Sequence, residues 1–313
     1  MYRKIIVAGC NDFTLEMADY LHRKNRLAGL VCTGKEISSK SGESQKIHRY
    51  VNLEQWAIER NLPHLVYNNQ ADLLAAQKKF SSSTLLLAGY HFIIPKKIID
   101  QFSSGIYAMH ASLLPQLRGW SPLNWAIILG FRNTGVSLFK VDEGMDSGPI
   151  FMQKKISIGS DTYISDLITS SFDKYKEILD VFIDQLDKNS IRCKKQDLRK
   201  SSFCLRRSES DSKIDWSRSV DDVLRVIRAS SEPYFGAFSF LKGEKIRILR
   251  AHRDSDIVYG HPGQIYKTSK DSFYGVCCKD GGILLEKLSS DYLQIPEVMT
   301  LIKKSKYFVI CND

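Results

Sequence analysis

A chain of 313 residues with 43% hydrophobic and 26% charged residues is long enough for one large domain and a smaller one, and this mixture excludes fibrous, low-complexity and disordered classes. The formal net charge of +10 points to something anionic, nucleic acid, nucleotide or charged cofactor alike, and does not choose among them. Seven cysteines, at positions 10, 32, 193, 204, 277, 278 and 311, lack paired Cys-x-x-Cys spacing, so neither a zinc site nor a disulfide framework is expected and no metal is assigned.

Residues 4–8 form a short apolar run that Gly9, Asn11 and Asp12 interrupt before a signal-peptide core develops, so a buried first strand is expected. No apolar stretch approaches bilayer length, and a cytoplasmic protein that crosses no membrane follows as the expectation. Runs 27–32, 84–88 and 105–109 repeat the strand pattern, with helix-length segments between them, which predicts an open α/β sheet. Helical periodicity covers 14–23, 52–60 and 121–130. Thr14 or Asp12 is expected to cap the first of these helices; Ser121, Pro122 and Gly130 are start and stop signals for the third. The turn Gly9-Cys10-Asn11-Asp12 lacks the glycine-rich phosphate fingerprint, which weakens a dehydrogenase reading.

Residues 134–141 alternate as a strand, and 162–188 carry apolar residues at helical spacing. From 191 to 212 the texture turns to Lys, Arg, Ser and Gln, as in a linker, which places a first domain at 1–200 and a second at 207–313. Beyond it, one helix over 219–229 and strands over 236–241, 245–251, 262–266, 273–278 and 282–287 predict a small β-rich domain, barrel-like or OB-like.

Chemistry concentrates between His110 and Asp146. His110 ends a strand-like run, and Asp146 lies in the turn-rich stretch Glu143-Gly144-Met145-Asp146-Ser147-Gly148 after another strand. Open α/β sheets place their sites at such strand ends, and a carboxylate beside an imidazole is a general proton-transfer unit. Taken alone, a histidine beside an apolar strand is more often a satisfied core or capping group, so the pairing by itself is weak evidence and the surrounding motif has to shift that balance. Arg118 before Gly119 reads equally as a loop anchor or as a phosphate contact. Trp120 and Trp125 are candidates for stacking, although Trp125, at helical spacing with Leu129, reads better as core.

The ordered pattern His-x-Ser-Leu-Leu-Pro, Arg-Gly, Pro-Leu-Asn-Trp, Gly-Val, then Asp-Glu-Gly-x-Asp-x-Gly-x-Ile resembles the formyltransferases that use 10-formyltetrahydrofolate. The separation 146 − 110 = 36 matches that family. The likeness extends to Leu87–Pro95 and to Arg206-Arg207, Lys213–Trp216, Ile227–Ala229 and Pro233–Phe238, so most of the chain is covered. It implies a Rossmann-like formyltransferase fold, with His110 and Asp146 as the catalytic pair. It further implies folate contacts from Tyr90, His91, Phe92, Ile93, Val141, Asp142 and Gly144, and acceptor contacts from Arg118, Trp120, Asn124 and Tyr234. One position departs: Ala108 stands where the family has the Asn of Asn-x-His, and loss of an oxyanion donor of that kind costs about two to three orders of magnitude in turnover. Pro-Leu-Asn-Trp resembles the sugar-nucleotide branch, which implies a nucleotide-linked amino sugar as acceptor. Methionyl-tRNA is the alternative, with the polar, basic stretch 33–49 as its feature; a non-catalytic folate or nucleotide sensor is the third reading. A homodimer is left open.

Overall fold

Five buried residues, Ile5–Gly9, form β1, and their apolar character on both faces marks a strand sandwiched between layers. The structure, a computed structural model, describes residues 2–38, 44–268 and 274–308. After β1 come α1 (Asp12–Arg23), β2 (Leu27–Cys32), a small hairpin of β3 (Glu36–Ser38) and β4 (Ser44–Lys46), α2 (Leu53–Glu59), β5 (His64–Val66), α3 (Ala71–Lys79), β6 (Thr84–Leu87), α4 (Lys96–Ile99) and β7 (Gly105–His110). They are followed by β8 (Arg118–Gly119), α5 (Pro122–Ile128), β9 (Asn133–Lys140), β10 (Ile150–Ser157), α6 (Ile164–Asp187) and β11 (Phe203–Cys204).

The main sheet has the order β10-β9-β7-β6-β1-β2-β5. Strands β5, β2, β1, β6 and β7 run parallel, β9 returns antiparallel to β7, and β10 pairs antiparallel with β9. This is the Rossmann-like open sheet that the strand spacing predicts. The reversal of strand order falls between β1 and β6, where such sheets commonly open a crevice. At that point the start of α1 and the end of β6 are tied together: Thr14 Oγ1 donates to the carbonyl of Ala88 at 2.5 Å, and a β-carbon on Gly9 would lie 2.0 Å from the same oxygen. The cap of α1 is Asn11, in a reciprocal box with Thr14, rather than Thr14 or Asp12 alone. Strand β10 has no counterpart among the predicted elements, because its residues are half-exposed at a sheet edge and lack an apolar run.

The chain divides into two compact units: Met1–Pro122, Asn133–Ser157 and Ile168–Cys204 form one, and Leu123–Arg132, Ile158–Leu167 and Leu205–Asp313 the other. The second holds α7 (Val220–Ser230), β12 (Ala237–Leu241), β13 (Glu244–Arg253), β14 (Ile265–Lys267), β15 (Tyr274–Cys278), β16 (Gly281–Ser290) and α8 (Ile295–Lys303). Its strands form an antiparallel sheet in the order β12-β13-β16-β15-β14, and among the described residues no pairing of β12 with β14 closes it into a barrel. Trp216, fully buried among Val220, Ile248, Val298 and Phe308, anchors its core and donates its indole N–H to Ser239 Oγ at 3.0 Å. Residue 273, the expected start of β15, and residues 39–43 of the polar stretch 33–49 lie outside the described residues. No helix among the described residues is long and apolar enough to cross a membrane.

Candidate active site

His110 is the last residue of β7, lies opposite Ser137 of β9, and is 7% exposed. From this strand end the chain enters the tight segment 111–117, which returns so that the carbonyl of Leu117 faces the imidazole: His110 Nε2 lies 2.7 Å from Leu117 O. A carbonyl only accepts, so Nε2 carries the proton and Nδ1 is left to exchange one. Nδ1 points at Asp146, with Oδ2 at 3.5 Å. Two residues far apart in the chain thus converge at one sheet edge.

The separation of 3.5 Å is longer than a normal hydrogen bond. Asp146 Oδ2 instead accepts the backbone N–H of Gly119 at 2.8 Å. The tautomer of His110 is therefore set by a backbone carbonyl, and Asp146 stands beside the ring as a fixed negative charge.

Both partners of the imidazole sit on backbone that few residues adopt. Leu117 has φ +55°, Gly119 +97° and Asp146 +51°, left-handed values that must be held by neighbours. The loop carrying Asp146 is closed by Asp142, whose Oδ1 accepts from Gly144 N at 3.1 Å and Ser147 Oγ at 2.6 Å. Gly148 allows its close return, since a β-carbon there would lie 1.8 Å from Lys140 O. Beneath the 111–117 segment, Ser137 Oγ donates to Ser112 O at 2.6 Å and Gln153 Nε2 donates to Leu114 O at 3.0 Å.

Of the expected folate contacts, Tyr90 and Phe92, just past β6, form a half-buried aromatic cluster with Tyr67, just past β5, which the sequence reading does not include. Tyr67 and Phe92 stack at 5.2 Å, and Tyr90 donates its hydroxyl to that of Tyr67 at 3.1 Å. Burial pushes the Tyr90 phenol well above its usual range, so it stays neutral. Tyr90, Ala108 and Val141 pack against one apolar cluster that includes Leu87 and Ile106. Ile93 is exposed. His91 stacks on Trp120 at 5.0 Å with the rings nearly parallel, which joins this loop to the loop of Arg118 and Gly119.

Two expected acceptor contacts, Arg118 and Asn124, are buried in contacts within the protein. Arg118 is 4% exposed, with Nη2 donating to Gln196 Oε1 at 2.8 Å and its guanidinium over the Phe203 ring; the loop-anchor reading of this residue is the one its burial fits. Asn124 is 3% exposed and donates its amide to Ala229 O at 2.7 Å, so this side chain is committed to tying α5 to α7 within the second unit. Tyr234 also belongs to the second unit, in the turn from Ser231 to Gly236. Trp125, expected in the core, is half-buried and donates its indole N–H to Leu205 O at 2.9 Å, while Leu129 is exposed.

Gln196 and Ser202 are absent from the sequence reading. They lie in a stretch whose composition reads as linker, and their roles depend on backbone groups that they touch, which no residue pattern reveals.

Comparison with known proteins finds relatives over most of the chain. The Formyl transferase family matches residues 4–180, and the Formyl transferase C-terminal domain matches residues 207–303. The methionyl-tRNA formyltransferase of Fusobacterium nucleatum subsp. nucleatum is 27% identical over 287 residues, 90% of either chain. The fold is shared with an N-formyltransferase from Helicobacter canadensis solved with folinic acid and dTDP-3-aminofucose, at TM-score 0.67, 17% identity, and 91% and 99% coverage of the two chains. HypX from Aquifex aeolicus in complex with tetrahydrofolic acid aligns at TM-score 0.67 and 15% identity over 97% of this chain, which spans about half (48%) of HypX. The matched family supplies one-carbon transferases that use 10-formyltetrahydrofolate. With the imidazole–carboxylate edge on β7 and family matches that together span most of its length, the chain belongs to the formyl transferase family.

Proposed function

We propose that this protein transfers the formyl group of 10-formyltetrahydrofolate to the amine of a nucleotide-linked amino sugar, with His110 and Asp146 as its catalytic pair. The observation that carries the reading is the convergence of His110 Nδ1 and Asp146 Oδ2 to 3.5 Å while Leu117 O occupies Nε2.

The residues present fit a reduced folate. A flat pterin suits the half-buried wall of Tyr67, Tyr90 and Phe92 beside Ile93, with Val141 next to Tyr90 in the same apolar cluster. Asp142 and Gly144 belong to the turn that shapes the neighbouring loop. Bound there, the folate supplies the formyl group. His110 takes the proton of the attacking amine at Nδ1, because Nε2 is already committed to Leu117 O, and from the same position gives a proton to the folate nitrogen as its bond to the formyl carbon breaks. Asp146 favours the charged ring that results, and the fixed N–H of Gly119 keeps the carboxylate in place.

Trp120, half-exposed and stacked on His91 one residue from Gly119, supports a ring-bearing acceptor, since an aromatic plane beside the catalytic pair stacks on a base or sugar face. Methionylated tRNA is the second reading, favoured by identity to the tRNA enzyme over 90% of both chains and by the net charge of +10. The expected division into 1–200 and 207–313 follows the same family plan in this proposal, with Leu123–Arg132 and Ile158–Leu167 joining the second compact unit.

The test is a transfer assay with the full-length chain and its Ala108→Asn variant, 10-formyltetrahydrofolate as donor, and a panel of dTDP- and UDP-linked amino sugars beside methionylated initiator tRNA. Formylated sugar is the expected product. Formylation of tRNA alone would replace the acceptor, and no product from either chain with any acceptor would overturn the reading in favour of a sensor.

A further inference from the structure

The segment between α6 and the second family match runs as a strap over the loops that carry the catalytic pair. Lys194 and Ile150 exchange backbone bonds at 2.8 Å in both directions, which starts the strap at the foot of β10. Gln196 then makes three contacts: Nε2 donates to Asp146 O at 2.9 Å and to Gly148 O at 2.7 Å, and Oε1 accepts from Arg118 Nη2. Farther on, Ser202 Oγ accepts from Leu117 N at 2.9 Å, and Ser202 O accepts from Arg118 N at 2.9 Å. Strand β11 finally pairs parallel with β8.

These contacts fall on the left-handed residues and their neighbours. Leu117 presents the carbonyl that fixes His110, Gly119 presents the N–H that fixes Asp146, and Asp146 itself has φ +51°. Among the described residues, the Gly119–Asp146 bond and the strap both tie one loop to the other. Gln196 closes a ring of contacts: Asp146 loop, Gln196, Arg118, Gly119, and back to the Asp146 carboxylate. A half-buried amide with both ends used in this way specifies geometry.

We infer that Gln196, seconded by Ser202, is a positioning residue that holds Asp146 at its working distance from His110. The inference rests on the catalytic reading of that pair. The side chain touches no reacting atom; it acts by fixing the Asp146 backbone in the conformation from which its carboxylate meets both Gly119 N and the imidazole edge. The buried Arg118 is a structural part of the same device, its guanidinium orienting the Gln196 carbonyl so that the amide faces Asp146 and Gly148.

The test uses the full-length chain in the Ala108→Asn background with Gln196→Met, Gln196→Glu and Ser202→Ala. Donor and acceptors are 10-formyltetrahydrofolate, a dTDP-linked amino sugar and methionylated tRNA. Gln196→Met keeps length and loses polarity; a kcat lower by about 10- to 100-fold, with acceptor KM within about threefold, is expected of a lost supporting contact. Gln196→Glu still offers Arg118 an acceptor but has no N–H for the two carbonyls, so it should fall with Gln196→Met. If Gln196→Glu keeps the parent kcat, the residue serves only Arg118 and the inference is overturned. A second readout needs no substrate: the Gly119 amide, bonded to Asp146, should be protected and shifted downfield in NMR spectra of the parent and lose both features in both Gln196 variants. For Ser202→Ala, the 15N shifts of the His110 ring should move from the Nε2–H tautomer toward the average of two tautomers. Unchanged Gly119 and His110 signals would sink the strap even where a variant loses activity through folding. Should the parent transfer nothing to any acceptor, the catalytic reading fails, and the Gly119 amide still decides the role of Gln196.

Discussion

His110 and Asp146 are each ordinary in isolation, and their chemistry comes from what holds them. Because Leu117 O accepts from Nε2 and Asp146 faces Nδ1, the ring has one open position for a proton and a charge beside it that favours its arrival. In the Ala108→Asn background, His110→Ala and Asp146→Asn should each lower kcat by about 100-fold or more, the usual weight of a positioned acid–base group; steady-state transfer assays check this, and near-parent rates in both would remove the pair from the mechanism. Ala108 lies on β7 between Leu87 and Phe139 and offers only a methyl group to the site. Restoring the amide with Ala108→Asn should raise turnover by about two to three orders of magnitude, read as kcat with the acceptor saturating. At this scale the sequence was informative about chemistry-bearing side chains and silent about Leu117 and Gly119, which act through a carbonyl and an N–H that every residue type owns. It also misled at Asn124, whose place in Pro-Leu-Asn-Trp reads as an acceptor contact but whose amide is buried on Ala229 O.

Elements decide which of these residues meet. Strand β7 runs parallel to β6, so their ends lie together, while the antiparallel β9 ends beside Tyr107 and the loop from β9 to β10 turns back to bring Asp146 to the end of β7. The apolar runs of β1, β2, β6 and β7 are legible because a strand buried on both faces admits little else. Strand β10 and the two-residue pair β8–β11 are not, because edge pairing tolerates polar residues and depends on partners distant in sequence. The tie between α5 and α7 makes a prediction of its own: Asn124→Ala leaves the Ala229 carbonyl without its donor and should cost about 1–3 kcal/mol of stability, measurable as a fall in the urea midpoint. A midpoint equal to the parent's would show that this bond is made in name only. At the start of α7, Ser219 accepts from Asp222 N at 3.1 Å, and Ser219→Ala should lower stability by about 1 kcal/mol in the same measurement.

Across the first unit, the carboxylate of Asp187 at the end of α6 accepts from Arg26, at the entrance to β2, and from Arg3 N at 3.0 Å. The Arg26 guanidinium holds this carboxyl below the usual carboxylate range. A lowered folded value means that the pair contributes stability above the unfolded carboxylate range, near pH 4, and loses it as pH falls through the folded value. Asp187→Asn should therefore lower stability at neutral pH by about 1–3 kcal/mol and flatten the acid side of the thermal-denaturation profile; an unaltered acid limb would contradict the assignment. Net charge acts on the same scale. With +10 on the chain, binding of a polyanion such as tRNA should weaken steeply between 50 and 200 mM salt, whereas a single nucleotide sugar should respond weakly, so the salt slope of acceptor binding separates the two acceptor readings.

The sequence by itself determined the fold class, the strands that fill the sheet, and a histidine and an aspartate thirty-six residues apart with the family's spacing, because burial and catalysis restrict residue type at fixed positions. Tertiary structure alone decided the rest. It committed Arg118 and Asn124 to structural contacts and brought an apparent linker, through Gln196 and Ser202, onto the loops of Asp146 and Leu117. It also set the tautomer of His110 through a backbone oxygen. Those outcomes depend on hydrogen bonds between the main chain and residues far away along it, and composition and periodicity carry no record of where a backbone group will find its partner.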